Sequence, residues 1–116
     1  MADIEIRAEI CTAETEAGHC LVGFAVSEDE EDGYILFQQD GPPGTEPTWL
    51  EVSDEIFGAP DAVEVLEIGE TLIRVSIRPK LVAKFGMVRD VEVRPAKTAE
   101  GWAEAKALLR RMFPDA

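Results

Sequence analysis

The sequence is poor in the residues and motifs on which most catalytic and metal sites depend. It contains one histidine, His19, and two cysteines, Cys11 and Cys20, and it has no glycine-rich phosphate loop, CxxC pair or nucleophile-elbow motif. Adjacent residues of a strand point to opposite faces, so His19 and Cys20 are badly placed to share a metal ion or to act as a catalytic pair. We therefore predict no catalytic residues, no metal site and no cofactor, and we expect free, buried thiols. An enzyme built on paired carboxylates remains an alternative, which a pocket with converging carboxylates would support.

Long hydrophobic segments are also missing. The longest apolar run, residues 20–26, is far shorter than the roughly 20 residues of a membrane-spanning helix. The N-terminus shows no basic segment followed by an apolar one, so we predict no signal peptide. A length of 116 residues suits one domain with a modest core. We expect a single cytoplasmic domain over residues 1–116.

Positive charge is nearly absent from the first two-thirds of the chain. Residues 1–73 hold 19 acidic residues and one basic residue, Arg7, whereas residues 74–116 hold 10 basic and 5 acidic residues. The first part would repel phosphates, so neither nucleic acid nor an anionic membrane is expected as a partner. The charge favours a cationic partner. Solubility alone, or neutralisation by the basic C-terminal part, is the alternative explanation.

Alternation of apolar and polar residues predicts a mostly antiparallel sheet of about seven strands. The strands are predicted at residues 3–11, 20–27, 33–39, 48–53 and 87–94, with two more in a hairpin within residues 61–78. Ile10 is expected on the buried face of the first strand, and Pro95 is expected to end the last one. Residues 12–18, 27–33, 40–47 and 54–60 are predicted to be loops.

The register of the central hairpin can be predicted from the parity of its loop. A three-residue loop, residues 68–70, places Val65 opposite Ile73, whereas a two-residue turn places Val75 opposite Glu64. A shift of one residue moves every side chain to the other face, so we predict the three-residue loop.

Two helices are predicted to complete an α+β fold. A short one begins at Pro79 and ends at Gly86. An amphipathic C-terminal helix covers residues 98–113, with Thr98 as its N-cap. Gly101 is expected to weaken its first turn by about 1 kcal/mol relative to Ala. This helix packs on the sheet, which is either open or curled into a partial barrel.

Candidate partner-binding residues are carboxylates in loops and one tryptophan. Five consecutive carboxylates in residues 28–32 repel one another, which predicts an exposed loop. Their spacing does not suit calcium. Trp49 is a candidate anchor for a partner, with a place in the core as the alternative. The candidate binding residues are Glu28, Asp29, Glu30, Glu31, Asp32, Asp40, Trp49, Glu51, Asp54 and Glu55.

From Gly33 to Phe113 the order of features resembles a family of bacterial polymorphic-toxin immunity proteins, immunity protein 10. The similar segments are GYILFQ, WLEVSDEIFGAPDAVEVLEI, ETLIRVSI, PKLVAKFG and ALLRRMF. The resemblance implies a small cytoplasmic protein without catalytic residues that binds and neutralises a toxin domain. The acidic charge fits a toxin with a cationic surface, such as a nuclease. The alternative is a self-associating structural or regulatory domain, a homodimer whose acidic and basic parts pair between copies.

Overall fold

The computed structural model describes residues 2–116, and the predicted α+β class is confirmed. The strands are β1 (Ile4–Glu16), β2 (His19–Ala25), β3 (Tyr34–Gln39), β4 (Thr48–Val52), β5 (Gly58–Pro60), β6 (Val63–Ile68), β7 (Ile73–Ile77) and β8 (Asp90–Glu100). Two 3₁₀ helices, Glu30–Asp32 and Pro79–Phe85, and one α-helix, α1 (Trp102–Met112), complete the fold. In this described part of the chain, no helix has both the length and the apolar character needed to cross a bilayer.

All eight strands belong to one sheet, in the order β5-β4-β3-β2-β1-β8-β7-β6. Two antiparallel meanders, β1–β5 and β6–β8, are joined where β1 and β8 run parallel. The two edge strands, β5 and β6, are separated along the chain only by Asp61 and Ala62. So short a link spans about 10 Å. The sheet therefore curls into a half-barrel until its two edges approach each other.

The core fills the concave side of this half-barrel and is closed by α1. Alternate residues of β2, β3 and β4 face inward, and α1 contributes Ala105, Leu108, Leu109 and Met112. Trp102 packs edge-on against Phe24, and Phe113 packs edge-on against Phe37, with ring centroids 5.5 Å and 6.0 Å apart. The amphipathic helix thus packs on the sheet as its apolar stripe predicts.

The register of the β6–β7 hairpin differs from the predicted one. Ile68 pairs with Ile73, so the loop consists of residues 69–72 and the predicted three-residue loop was wrong. Val65, predicted opposite Ile73 on the buried face, is 46% exposed, and Leu66 is buried instead. A bulge at the start of β6 shifts the alternation on which the prediction depended.

β1 is longer than predicted and changes face along its length. It continues to Glu16, which pairs with His19, where a loop had been predicted from Thr12. The pairing of β1 with β8 shifts register between Ala8 and Ile10. As a result Ile10, predicted on the buried face, is 36% exposed.

β8 runs past Pro95, so the predicted strand end there was wrong. β8 pairs with β7 only as far as Val93. Pro95 lies beyond that point, so β7 needs no hydrogen bond from the N–H that proline lacks. The longer strand also moves the start of α1 to Trp102. Thr98, the predicted N-cap, lies in β8, and its hydroxyl donates to the Glu9 carboxylate at 2.6 Å.

Gly101 is the N-cap of α1 and not a weak point inside its first turn, as had been predicted. Its φ is 81°, in the left-handed region that favours glycine. A Cβ at this position would overlap the carbonyl oxygen of Cys11. Glycine is therefore what allows β8 to turn into the helix directly against β1.

The remaining differences are local. β5 lies where only a loop was predicted, and Ala59 pairs there with Leu50. The predicted short helix is a 3₁₀ helix whose Val82 and Phe85 are buried. It ends, as predicted, at Gly86, whose φ is 68°.

Candidate partner-binding site

Two acidic loops meet at one end of β3 and β4. Residues 27–33 precede β3 and residues 53–57 follow β4, and Ile35 pairs with Val52, so both loops lie at the same end of the antiparallel pair. The backbone N–H of Ser53 donates to the carbonyl of Tyr34 at 2.9 Å, which ties the two loops together. We call the carboxylates gathered here the acidic end. Its members, all exposed, are Glu28, Asp29, Glu30, Glu31, Asp32, Asp54 and Glu55.

The first of these loops is held by its own hydrogen bonds. Asp29 accepts from the backbone N–H of Glu31 at 3.0 Å and so caps the 3₁₀ helix. The Ser27 hydroxyl donates to Asp32 at 2.6 Å and accepts from the backbone N–H of Asp29 at 3.0 Å. A loop fixed in this way loses less conformational entropy when a partner binds.

The ion pairs between described residues all lie away from the acidic end. They join Arg74 and Arg94 to Glu92, and Arg78 to Asp61 and Glu64. Within residues 2–116, none of the carboxylates of the acidic end has a lysine or arginine partner. Ion pairing by the basic C-terminal part is thus found at strands β6–β8 and the residues next to them.

Glu51 joins two aromatic side chains on the outer face of the sheet. It accepts from the Tyr34 hydroxyl at 2.6 Å and from Nε1 of Trp49 at 3.0 Å. Burial raises the pKa of Tyr34 well above its usual value, and the hydrogen bond to Glu51 and the charges of Glu51, Glu30 and Asp54 raise it further. Tyr34 therefore stays a protonated donor. It is a site residue that sequence reasoning missed, because its partner is known only once β3 and β4 are paired.

Trp49 is neither a fully exposed anchor nor a core residue. It is half-buried, and its ring lies over Gly58, where any Cβ would overlap it. Its N–H is already bonded to Glu51. The packing over Gly58 and the bond to Glu51 fix the ring against the sheet.

Asp40 does not join the acidic end. Asp40 follows Gln39, the last residue of β3, whereas the acidic end lies next to Tyr34, the first residue of that strand. A rise of about 3.3 Å per residue puts roughly 20 Å between the two ends of this strand. The structure therefore brings together Glu51, Asp54, Glu55 and residues 28–32, and it leaves Asp40 apart.

A shallow pocket of about 270 Å³ opens on the outer face beside the acidic end. The sheet contributes the apolar residues Ile10, Gly23 and Leu36 to its lining, and the acidic end contributes Glu28 and Glu30. A more open cleft of about 670 Å³ continues from it past Ile10 and Glu28. The candidate residues thus border a surface with an apolar floor and an acidic rim.

The cysteines offer little nucleophilic chemistry. Both are free; Cys20 is buried and Cys11 is half-buried. Burial, with a smaller contribution from Glu104, raises the pKa of Cys11 to about 11. Burial also raises the pKa of Cys20. Because the thiolate is the reactive form, both thiols are expected to react slowly near neutral pH.

Over residues 2–116, no three side chains of histidine, cysteine, aspartate or glutamate gather in a way that would hold a metal ion. The chain matches no protein-family model and no curated protein. The features of the molecule that bear on function are the acidic end, the pocket beside it and the charge of the chain.

Proposed function

We propose that the protein is a non-enzymatic binding protein of the cytoplasm, an immunity protein that neutralises a cationic toxin domain. The acidic end is the observation that supports this proposal most directly. It concentrates exposed carboxylates from residues 27–33 and 53–57, and no lysine or arginine among residues 2–116 pairs with them. A surface of one sign accelerates the approach of an oppositely charged protein and suppresses contacts with other partners.

A nuclease-type toxin fits this surface well. Such an enzyme has a basic cleft that binds the phosphates of its substrate, and carboxylates held in fixed positions present the same sign of charge. Occupation of that cleft by the acidic end would exclude nucleic acid and block the activity. Glu51, Tyr34 and Trp49 support the outer face next to it.

Co-expression tests the proposal. The product of the neighbouring gene is expressed alone and together with this protein, and growth is compared. We expect growth arrest by the neighbour alone and recovery on co-expression. A variant with residues 28–32 changed to their amides should lose protection, whereas Asp40→Asn, which removes an exposed carboxylate away from the acidic end, should retain it.

The rate of association provides the physical measurement. Charges on the surface are screened over about 8 Å at physiological ionic strength, so the rate should fall steeply as salt is added. A rate that does not change with ionic strength, or a neighbouring product that neither arrests growth nor binds, would contradict the proposal.

Self-association is the second candidate function, and the end of α1 favours it. Arg110 and Arg111 are exposed in its last turn and form no ion pair with another residue of the described chain. The acidic end of one copy would then contact α1 of the next. Light scattering in low and high salt distinguishes the candidates, because a salt-sensitive dimer without toxin binding supports self-association.

A further inference from the structure

We infer that the pocket beside the acidic end is the anchor site for one arginine or lysine side chain of a protein partner. The aliphatic stem lies on the floor formed by Ile10, Gly23 and Leu36, and the charged group reaches Glu28 and Glu30. This inference deepens the proposed function and rests on it in one respect, since it takes the partner to be a cationic protein.

Gly23 is the first reason for assigning a ligand to this pocket. It lies in the middle of β2, between Thr12 of β1 and Leu36 of β3, and its φ is outside the left-handed region. A Cβ built there would meet its nearest neighbour, a methyl group of Leu36, at 3.6 Å, which is an ordinary contact. Neither backbone conformation nor crowding therefore requires glycine.

Glycine nevertheless weakens a strand. Where it occurs inside one, the usual reason is a bend in the strand or the close approach of another molecule. At Gly23 the missing side chain leaves the floor of the pocket open. Two methyl-bearing neighbours, Thr12 and Leu36, flank the gap. We infer that the open floor receives a side chain from outside the chain.

The size and the charge of the pocket identify that side chain. A volume of about 270 Å³ has room for one long side chain. The charged residues that line it are Glu28, Glu30 and Glu51, and those that line the adjoining cleft are Glu9, Glu28, Asp29 and Glu100. All are acidic. An apolar floor with an acidic rim matches an aliphatic stem that ends in a cation.

Tyr34 adds a third element of recognition. Tyr34 lines the pocket, and its hydroxyl is fixed by the bond to Glu51. Aromatic rings attract arginine and lysine through their π-electrons, and the attraction grows when water is excluded. The pocket therefore offers a guanidinium or ammonium group both carboxylates and an aromatic wall.

Nuclear magnetic resonance with a defined probe tests the inference. The ¹⁵N-labelled protein is titrated with the capped peptide Gly-Ala-Arg-Ala-Gly and with its citrulline analogue, which has the same shape without the charge. We expect the arginine peptide to shift the amide signals of Ile10, Gly23 and Leu36, and the citrulline peptide to shift them much less. Equal shifts from both peptides, or shifts that avoid these residues, would overturn the inference.

Variants of Gly23 separate the pocket from the acidic end as a whole. Gly23→Ala and Gly23→Val place a side chain on the floor and should weaken binding of the arginine peptide by about threefold and about tenfold, since a filled pocket excludes the anchor. Gly23→Ala fits the available space, so it keeps the fold testable if Gly23→Val perturbs it. Asp40→Asn is the matched control and should bind as the parent protein does.

The outcomes also separate this inference from the proposed function. If Glu28→Gln with Glu30→Gln weakens binding while both Gly23 variants bind normally, the acidic end attracts cations but the pocket is not their anchor. That result overturns the inference and leaves the proposed function standing. If the Gly23 variants lose peptide binding but still protect against the neighbouring toxin, the pocket binds cations without a role in neutralisation, and the inference of an anchor for the partner fails.

Discussion

The hydroxyl of Tyr34 donates a 2.6 Å hydrogen bond to Oε2 of Glu51 on the outer face of the sheet. Oε1 of the same carboxylate accepts from Trp49 at 3.0 Å. Both oxygens of Glu51 are therefore used to hold aromatic rings, while its negative charge remains available to the adjoining pocket.

Tyr34 is expected to resist ionisation. It is the only tyrosine of the chain, so the near-ultraviolet absorbance of phenolate reports on it alone. Burial and Glu51 raise its pKa in the folded protein, whereas an unfolded chain should titrate near about 10. A raised pKa gives stability that is complete below the unfolded value and is lost as the pH rises toward the folded one. The stability of Tyr34→Phe should therefore depend less on pH above about 10, and titration of the folded protein near the unfolded value would contradict the assignment.

Gln39 is expected to be essential for stability. Its buried amide donates to Thr48 Oγ1 at 2.8 Å and to the Met112 carbonyl at 3.0 Å, and it accepts from the Gly44 N–H at 2.8 Å. Gln39→Leu leaves these groups without partners and should lower the free energy of unfolding by about 3 kcal/mol. Urea denaturation measures the change.

Gln38→Leu provides the control for this prediction. Gln38 is the preceding residue of β3, half-buried and on the opposite face, and it makes no side-chain hydrogen bond with another residue of the described chain. Its replacement should change stability by less than about 1 kcal/mol. Similar losses for the two variants would show that the hydrogen bonds of Gln39 are not the cause.

Gly101→Ala is expected to destabilise the protein more than Gly18→Ala does. Both glycines have positive φ, 81° and 96°, so both substitutions carry the cost of a left-handed conformation, about 1–2 kcal/mol. Only at Gly101 would the new Cβ also overlap a neighbour, the Cys11 carbonyl; a Cβ at Gly18 would have no contact within 4 Å beyond the adjacent residues of the chain. The difference in denaturation midpoint between the variants isolates that close approach, and equal midpoints would argue against it.

Asp3→Asn is expected to lower stability at neutral pH but not at low pH. The Asp3 carboxylate accepts from the backbone N–H of Arg89 at 2.8 Å and of Asp90 at 3.2 Å, and these bonds lower its pKa below 3.8. A lowered pKa gives stability that is present above the unfolded value and is lost as the pH falls through the folded one. The melting temperatures of the parent and Asp3→Asn should begin to converge as the pH falls below about 3.8 and should coincide only below the lowered pKa of the folded protein.

The control for this prediction is Glu5→Gln, because Glu5 is exposed and makes no side-chain hydrogen bond with another described residue. Its melting temperature should follow that of the parent protein across the pH range. A constant offset between Asp3→Asn and the parent at all pH values would contradict the proposed role of the carboxylate.

Local patterns were sufficient to predict much of this fold. Strands β3 and β4, the loop of residues 27–33 and the stop at Gly86 follow from alternation, charge repulsion and turn formers, which act within a few residues. The errors arise where pairing between distant strands overrides the local signal. Pro95 continues a strand because β8 is paired with β1, and Val65 is exposed because of a bulge that no alternation reveals.

The candidate site was also only partly predictable from local sequence patterns. The sequence identifies its carboxylates, but their grouping depends on the pairing of β3 with β4, which brings Asp54 and Glu55 to residues 28–32 and leaves Asp40 behind. Gly23 is not distinguished as a candidate site residue in the sequence, because it lies within the apolar run of residues 20–26. Its importance appears only when Thr12 and Leu36 are seen on either side.

The parallel pair of β1 and β8 has a consequence for how the chain is made. Residues 4–8 pair only with residues 91–95, so the first half of β1 lacks its strand partner until residues 91–95 have been synthesised. The meander β1–β5, which contains every carboxylate of the acidic end, can assemble before the basic segment emerges. A nascent chain should therefore display its strongest negative charge before the rest of the sheet is in place.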